Sequence, residues 1–148
     1  MTNMTDSNNS PYFLGNNSAG TANATGDGTA FIIPINTLLQ GSGLNTSTNI
    51  YTPQISGKFF SGIKIYLSNL STTHTKAILS LVTTSKTYVL DEGNPGTNRT
   101  QAFTFILRGD LTQINFSQGD NAYFTVSIFN GTKTVSIQSQ AAYSIRES

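Results

Sequence analysis

Phe59-Phe60-Ser61-Gly62-Ile63-Lys64-Ile65-Tyr66-Leu67 decides the fold class. Side chains of a strand alternate between two faces, so Phe59, Ser61, Ile63, Ile65 and Leu67 share one face. Phe60, Gly62, Lys64 and Tyr66 share the other. The same period recurs downstream, where Ala122, Phe124, Val126 and Ile128 stand against Tyr123, Thr125, Ser127 and Phe129. Phe103, Phe105 and Leu107 also fall on one side.

Outward from these stretches, short runs rich in β-branched and aromatic residues are separated by turn residues. They predict strands at 30–33, 57–67, 76–83, 86–90, 102–107, 113–116, 122–129 and 133–137, with a last one near 142–145. Asn130-Gly131 reads as a hairpin turn between two strands, and Gln118-Gly119-Asp120-Asn121 as another turn. Helix signals are weak, and only 35–40 could make a helical turn. Eight or more short strands in about 120 residues predict an all-β chain, an antiparallel two-sheet sandwich or jelly roll.

Residues 1–28 differ. They are rich in Asn, Ser, Thr, Gly and Ala, and cannot bury enough apolar surface to offset their ordering entropy. They read as a flexible polar N-terminal tail preceding a domain at 29–148. Its apolar cluster, Tyr12-Phe13-Leu14, is either an anchor that docks on a partner or a chance cluster in a linker.

Composition bounds the function. Apolar residues make up 36% of the 148, enough for one core, whereas charged residues make up only 10%. Ser, Thr, Asn and Gly fill the deficit. The eight Lys and Arg are scattered singly, so the clustered cations of a nucleic-acid surface are missing. No apolar run approaches the ~20 residues that span a bilayer. With no cysteine, stability must come from the core or from an oligomer. The N-terminus has neither a basic nor an apolar signal region, so export by a secretory signal peptide is not expected.

Candidate chemistry is sparse. His74 is the single histidine, and a triad would need it beside a distant acid and a hydroxyl. In the loop Ser71-Thr72-Thr73-His74-Thr75 a solvated side chain is the plainer reading. No catalytic residue, metal site or cofactor is expected, because the usual zinc ligands are too few. Arg108-Gly109-Asp110 spells an integrin-binding tripeptide, placed on a turn between two strands; its plainer reading is a Gly-Asp turn. Asp120 reads as a turn residue accepting local N–H bonds, with calcium ligation as the alternative. Asn-x-Ser/Thr sequons at Asn23, Asn45, Asn69, Asn98, Asn115 and Asn130 are expected from composition alone.

Two segments resemble a known family. Tyr51-Thr52-Pro53-Gln54-Ile55-Ser56-Gly57-Lys58-Phe59-Phe60 is similar to the (F/Y)-T-A-P-V-S-G-x-Y segment of complement C1q-like domains. Ile114-Asn115-Phe116-Ser117-Gln118-Gly119-Asp120-Asn121-Ala122-Tyr123 resembles that family's L-x-L-x-x-G-D-x-V-x-V. Thr29-Ala30-Phe31-Ile32-Ile33-Pro34-Ile35-Asn36 sits where the family has its first strand, and SLVTTSKTYVLD, ending at Asp91, resembles its middle hairpin. Ala142-Tyr143-Ser144-Ile145 takes the place of the closing strand but lacks its glycine. The resemblance covers 29–148 and is nearest in flavour to versions on viral and phage surface proteins.

The resemblance implies a jelly roll shared with the tumour-necrosis-factor superfamily, and a tight homotrimer packing aromatic outer faces around its axis. Phe60, Tyr66, Tyr123 and Phe129 are the expected interface residues, since outer-face aromatics need cover. The family carries no catalytic residues. Some members hold calcium near the axis, but no ligand set matches here. The expected function is a non-enzymatic virion surface protein: a trimeric head fibre, decoration protein or attachment knob. Its tail, with Tyr12, Phe13 and Leu14, would fix it to other virion structural proteins, and its knob would contact a host glycan or protein. The alternative is a free, extracellular C1q-like or lectin-like module recognising a glycan or protein. Neither nucleic acid nor membrane insertion is expected.

Overall fold

The computed structural model of the chain describes residues 12–95 and 103–146. These form strands β1 (Tyr12–Thr25), β2 (Ala30–Ile32), β3 (Thr37–Gly41), β4 (Leu44–Asn45), β5 (Ile50–Tyr51) and β6 (Gly57–Leu70). β7 (Lys76–Thr83), β8 (Thr87–Gly93), β9 (Phe103–Phe116), β10 (Ala122–Phe129) and β11 (Val135–Arg146) complete the set. One sheet runs β3-β1-β11-β6-β9, and the other β4-β5-β10-β7-β8 with β2 also on β10. Every pairing is antiparallel. The architecture is the antiparallel two-sheet sandwich that the alternation predicts, with jelly-roll crossovers between the sheets.

The alternation works as expected in β6 and β10. Phe59, Ile63, Ile65 and Leu67 from one sheet and Phe124, Val126 and Ile128 from the other are at most 3% exposed and belong to one core. Burying each such side chain contributes ~1.5–3 kcal/mol. Tyr51, Phe59 and Phe116 meet edge to face, with Phe13 tilted against Tyr51 at 4.7 Å between ring centroids.

Three expectations change. First, residues 12–25 are not tail. β1 lies inside the first sheet, between β3 and β11. Its polar sequence has weak strand propensity, but β3 pairs with it at 13–16 and β11 at 12–15 and again at Asn17, Thr21 and Thr25, and pairing overrides propensity. Gly15 is required there, because a Cβ would come within 2.7 Å of Ile35 and 2.8 Å of the Thr37 carbonyl. Residues 1–11 lie outside the described residues. Second, 37–41 is strand β3 and not a helical turn; β1 offers it a pairing edge. Third, Asn130-Gly131 does not close a hairpin. β10 and β11 sit in different sheets, so this turn crosses the sandwich. Asn130 supplies the left-handed conformation (φ 78°) that the crossing needs. The segments at 102–107 and 113–116, and those at 133–137 and 142–145, also fuse into the long strands β9 and β11.

Candidate functional site

The outer face of the β3-β1-β11-β6-β9 sheet has two distinct ends. At the first end, Phe13 points inward and is 1% exposed, so its neighbours Tyr12 and Leu14 point outward. In register, Tyr12 lies opposite Ile145, and Ile145 opposite Phe60. Leu14 lies opposite Tyr143, and Tyr143 opposite Gly62. Side chains directly opposite in an antiparallel pair are neighbours. The result is an apolar tile across three hydrogen-bonded strands. Ile145 is 50% exposed. On the flanking edge strand β3, Leu38 and Leu39 are exposed as well.

The second end begins at Lys64, whose ammonium rests over the Tyr66 ring at 5.5 Å from its centroid. Phe60 and Tyr66 are six residues apart, ~20 Å along the strand. Here β1 leaves its regular pairing. Asn17 pairs with Ser139, Thr21 with Ile137 and Thr25 with Val135, so four steps of β1 twice span two steps of β11. The surplus residues form bulges, with Gly20 (φ 75°) and Asn23 (φ 53°) in the left-handed region. Beside them opens a groove of about 590 Å³. Gly20, Thr21 and Ala22 line it from β1, and the cross-strand pairs Gln138–Tyr66 and Ser136–Ser68 line it from β11 and β6.

The four aromatics expected at one interface do not share a surface. Phe60 and Tyr66 lie on this outer face, but Tyr123 and Phe129 are on β10, on the outer face of the opposite sheet. Period-two reading separates inside from outside within a strand but does not say which sheet the strand joins. Phe129 is already partly covered, by the Lys76 ammonium at 5.5 Å from its centroid, and a Cβ on Gly28 would meet its ring at 3.3 Å. The anchor cluster also divides. Phe13 is core and cannot reach a partner, while Tyr12 and Leu14 join the apolar tile.

The remaining candidates have structural roles. His74 is fully buried. Its Nδ1 accepts from the Ser71 backbone N–H at 2.9 Å, so Nε2 carries the proton and donates to the Thr132 carbonyl at 2.9 Å. It ties the loop before β7 to the crossing before β11 and does not face solvent. Arg108-Gly109-Asp110 is within β9, where Arg108 pairs with Lys64 and Gly109 with Ile63. A continuous strand, not a turn, carries the tripeptide, so its backbone lacks the looped display expected of it. Asp120 accepts from the Ser117 N–H at 2.9 Å and its own N–H donates to the Ser117 carbonyl at 3.0 Å, which closes the turn before β10. The sequon asparagines 23, 69 and 130 all have positive φ, a conformation that favours Asn over most residues.

The sequence marks Tyr12 and Leu14 as part of an apolar cluster and 142–145 as a strand, but only register makes Tyr12, Leu14, Tyr143 and Ile145 adjacent on one surface.

No protein-family model matches the chain, and no curated protein matches it. Solved structures do. The globular domain of zebrafish complement 1qA protein superposes with a TM-score of 0.61 at 12% identity, over 93% of this chain and 98% of that one. Eiger TNF from S. frugiperda gives 0.47 at 12% identity, over 93% and 94%. The fold is a C1q-like jelly roll.

Proposed function

We propose that a chain with this fold works as a non-enzymatic binding module and assembles as a homotrimer through the apolar tile at the first end of the outer face of its β3-β1-β11-β6-β9 sheet. The apolar tile carries the reading: Tyr12, Ile145 and Phe60 in one row, with Leu14 beside Tyr143. Exposed apolar area is unfavourable by ~25 cal/mol per Å², and a subunit contact is the usual cover for such a patch. Threefold symmetry comes from the resemblance to C1q-like domains. The non-enzymatic reading is supported by the single histidine, which is buried with both ring nitrogens engaged.

Light scattering coupled to size exclusion tests the assembly. A mass near three times 15.9 kDa supports it. A monomer at micromolar concentration overturns it.

The finer reading places the module on a virion surface, as a head fibre, decoration protein or attachment knob that contacts a host. Support comes from the hydroxyl- and amide-rich composition. Attachment then falls to residues preceding β1, since Phe13 is committed to the core. Mass spectrometry of purified particles checks this: the chain should be present in multiples of three per attachment point. Its absence from particles, with ligand capture by the free protein, would instead favour an extracellular lectin-like module.

A further inference from the structure

The groove at the second end of the outer face has a lining with a definite chemical character. It combines one aromatic ring, Tyr66, with the hydroxyls of Thr21, Ser68 and Ser136 and the amide of Gln138. None of these groups is a carboxylate or a cation. A metal ion would find no anionic ligand, and a phosphate no charge within the lining. A wholly apolar ligand would strip water from three hydroxyls and an amide without replacing their hydrogen bonds. What fits is a ligand with an apolar face and a rim of hydroxyls. The volume, about 590 Å³, lies within the ~300–1,000 Å³ of small-ligand sites.

We propose that this groove is a saccharide-binding site. A pyranose stacks its C–H face on the Tyr66 ring, and its hydroxyls exchange hydrogen bonds with Ser68, Ser136, Thr21 and Gln138. The backbone that carries Tyr66 is held on both sides, by Gln138 of β11 and Ile106 of β9 in register. Lys64, at the margin beside the Tyr66 ring, brings positive charge to one side and favours a sugar bearing a carboxylate. The β1 bulges are what make room: regular pairing across Asn17–Thr25 would leave a flat sheet face there. The assignment rests on the reading that the apolar tile, and not the groove, is the subunit contact.

The test uses the full chain on an array of neutral and acidic oligosaccharides, followed by calorimetric titration of the best-bound array sugar. Wild type, Tyr66→Ala and Ser68→Gln are compared, each with its mass in solution. Tyr66→Ala removes the stacking platform, and Ser68→Gln fills the floor without touching the apolar tile. The expected result is binding of at least one array sugar, weakened about tenfold or more in both variants, at unchanged mass. Failure of every array sugar to bind overturns the proposal, as does full binding by both variants. Loss of the oligomer in Tyr66→Ala also overturns it, because Tyr66 would then belong to the subunit contact. A monomeric wild type that still binds sugar through the groove would remove the trimer and leave this site standing.

Discussion

His74 and Thr132, 58 residues apart, are joined by a 2.9 Å hydrogen bond from the imidazole Nε2 to the backbone carbonyl. The bond fastens two crossings at one end of the sandwich. Gly26 completes the junction: a Cβ there would collide with the same carbonyl and reach 2.9 Å from Nε2, at a backbone φ of 140°. A Cβ on Gly131 would likewise come within 2.5 Å of the ring.

His74→Ala should therefore act on stability and not on ligand binding. It leaves the Ser71 N–H and the Thr132 carbonyl without their partner in a buried site, and should cost about 2–5 kcal/mol. Gly26→Ala should also destabilise, and the double variant should lose less than the sum, because both disturb one carbonyl. Denaturant unfolding of the four proteins checks this. Strict additivity would show that the junction is not one unit.

Tyr51 offers the opposite sign. Its hydroxyl is buried and has no hydrogen-bond partner, beside a small void that Phe13, Ser61 and Phe124 also line. Tyr51→Phe should leave the fold unchanged or raise its stability by about 1–2 kcal/mol. Burial pushes the Tyr51 phenol above its ordinary value of about 10. Above that pH the unfolded chain releases a proton that the folded chain retains, so stability falls as pH rises from about 10 upward. Tyr51→Phe should flatten this alkaline loss in unfolding curves taken between about pH 9 and 11.

Ser61 and Ser144 face each other across β6 and β11 inside the core, Oγ to Oγ at 2.8 Å. Ser61→Ala alone strands the Ser144 hydroxyl and should cost about 1–3 kcal/mol. Replacing both by Ala should cost less than either single change, since no buried polar group is then left over. Thermal melts of the three variants distinguish this from two independent losses.

The sheet assignment of the outer aromatics makes a direct contrast. Ile145→Asp or Phe60→Asp should dissociate the oligomer while the isolated subunit stays folded, read by light scattering and circular dichroism. Tyr123→Ala, on the opposite sheet, should leave the mass unchanged. Ile63→Ala, in the core, should reduce stability by about 2–5 kcal/mol. Dissociation by Tyr123→Ala with Ile145→Asp silent would move the contact to the β4-β5-β10-β7-β8 face.

By itself the sequence determined what local periodicity can encode. The inward and outward sets of β6 and β10, the limits of β7 at Lys76 and Thr83, and the turn closed by Asp120 all follow from neighbours within a few residues. Tertiary structure alone decided the rest. The run Asn16-Asn17-Ser18-Ala19-Gly20 has the composition of a linker, and is held in the sheet because Asn16 pairs with Thr37 of β3 and Asn17 with Ser139 of β11. Ile145, Phe60 and Tyr12 become one surface because register places them side by side, and Tyr123 is excluded from it because β10 joins the other sheet. The physical reason is the same in each case: side-chain alternation is a property of a single strand, whereas pairing, register and sheet membership are relations between strands far apart in the chain.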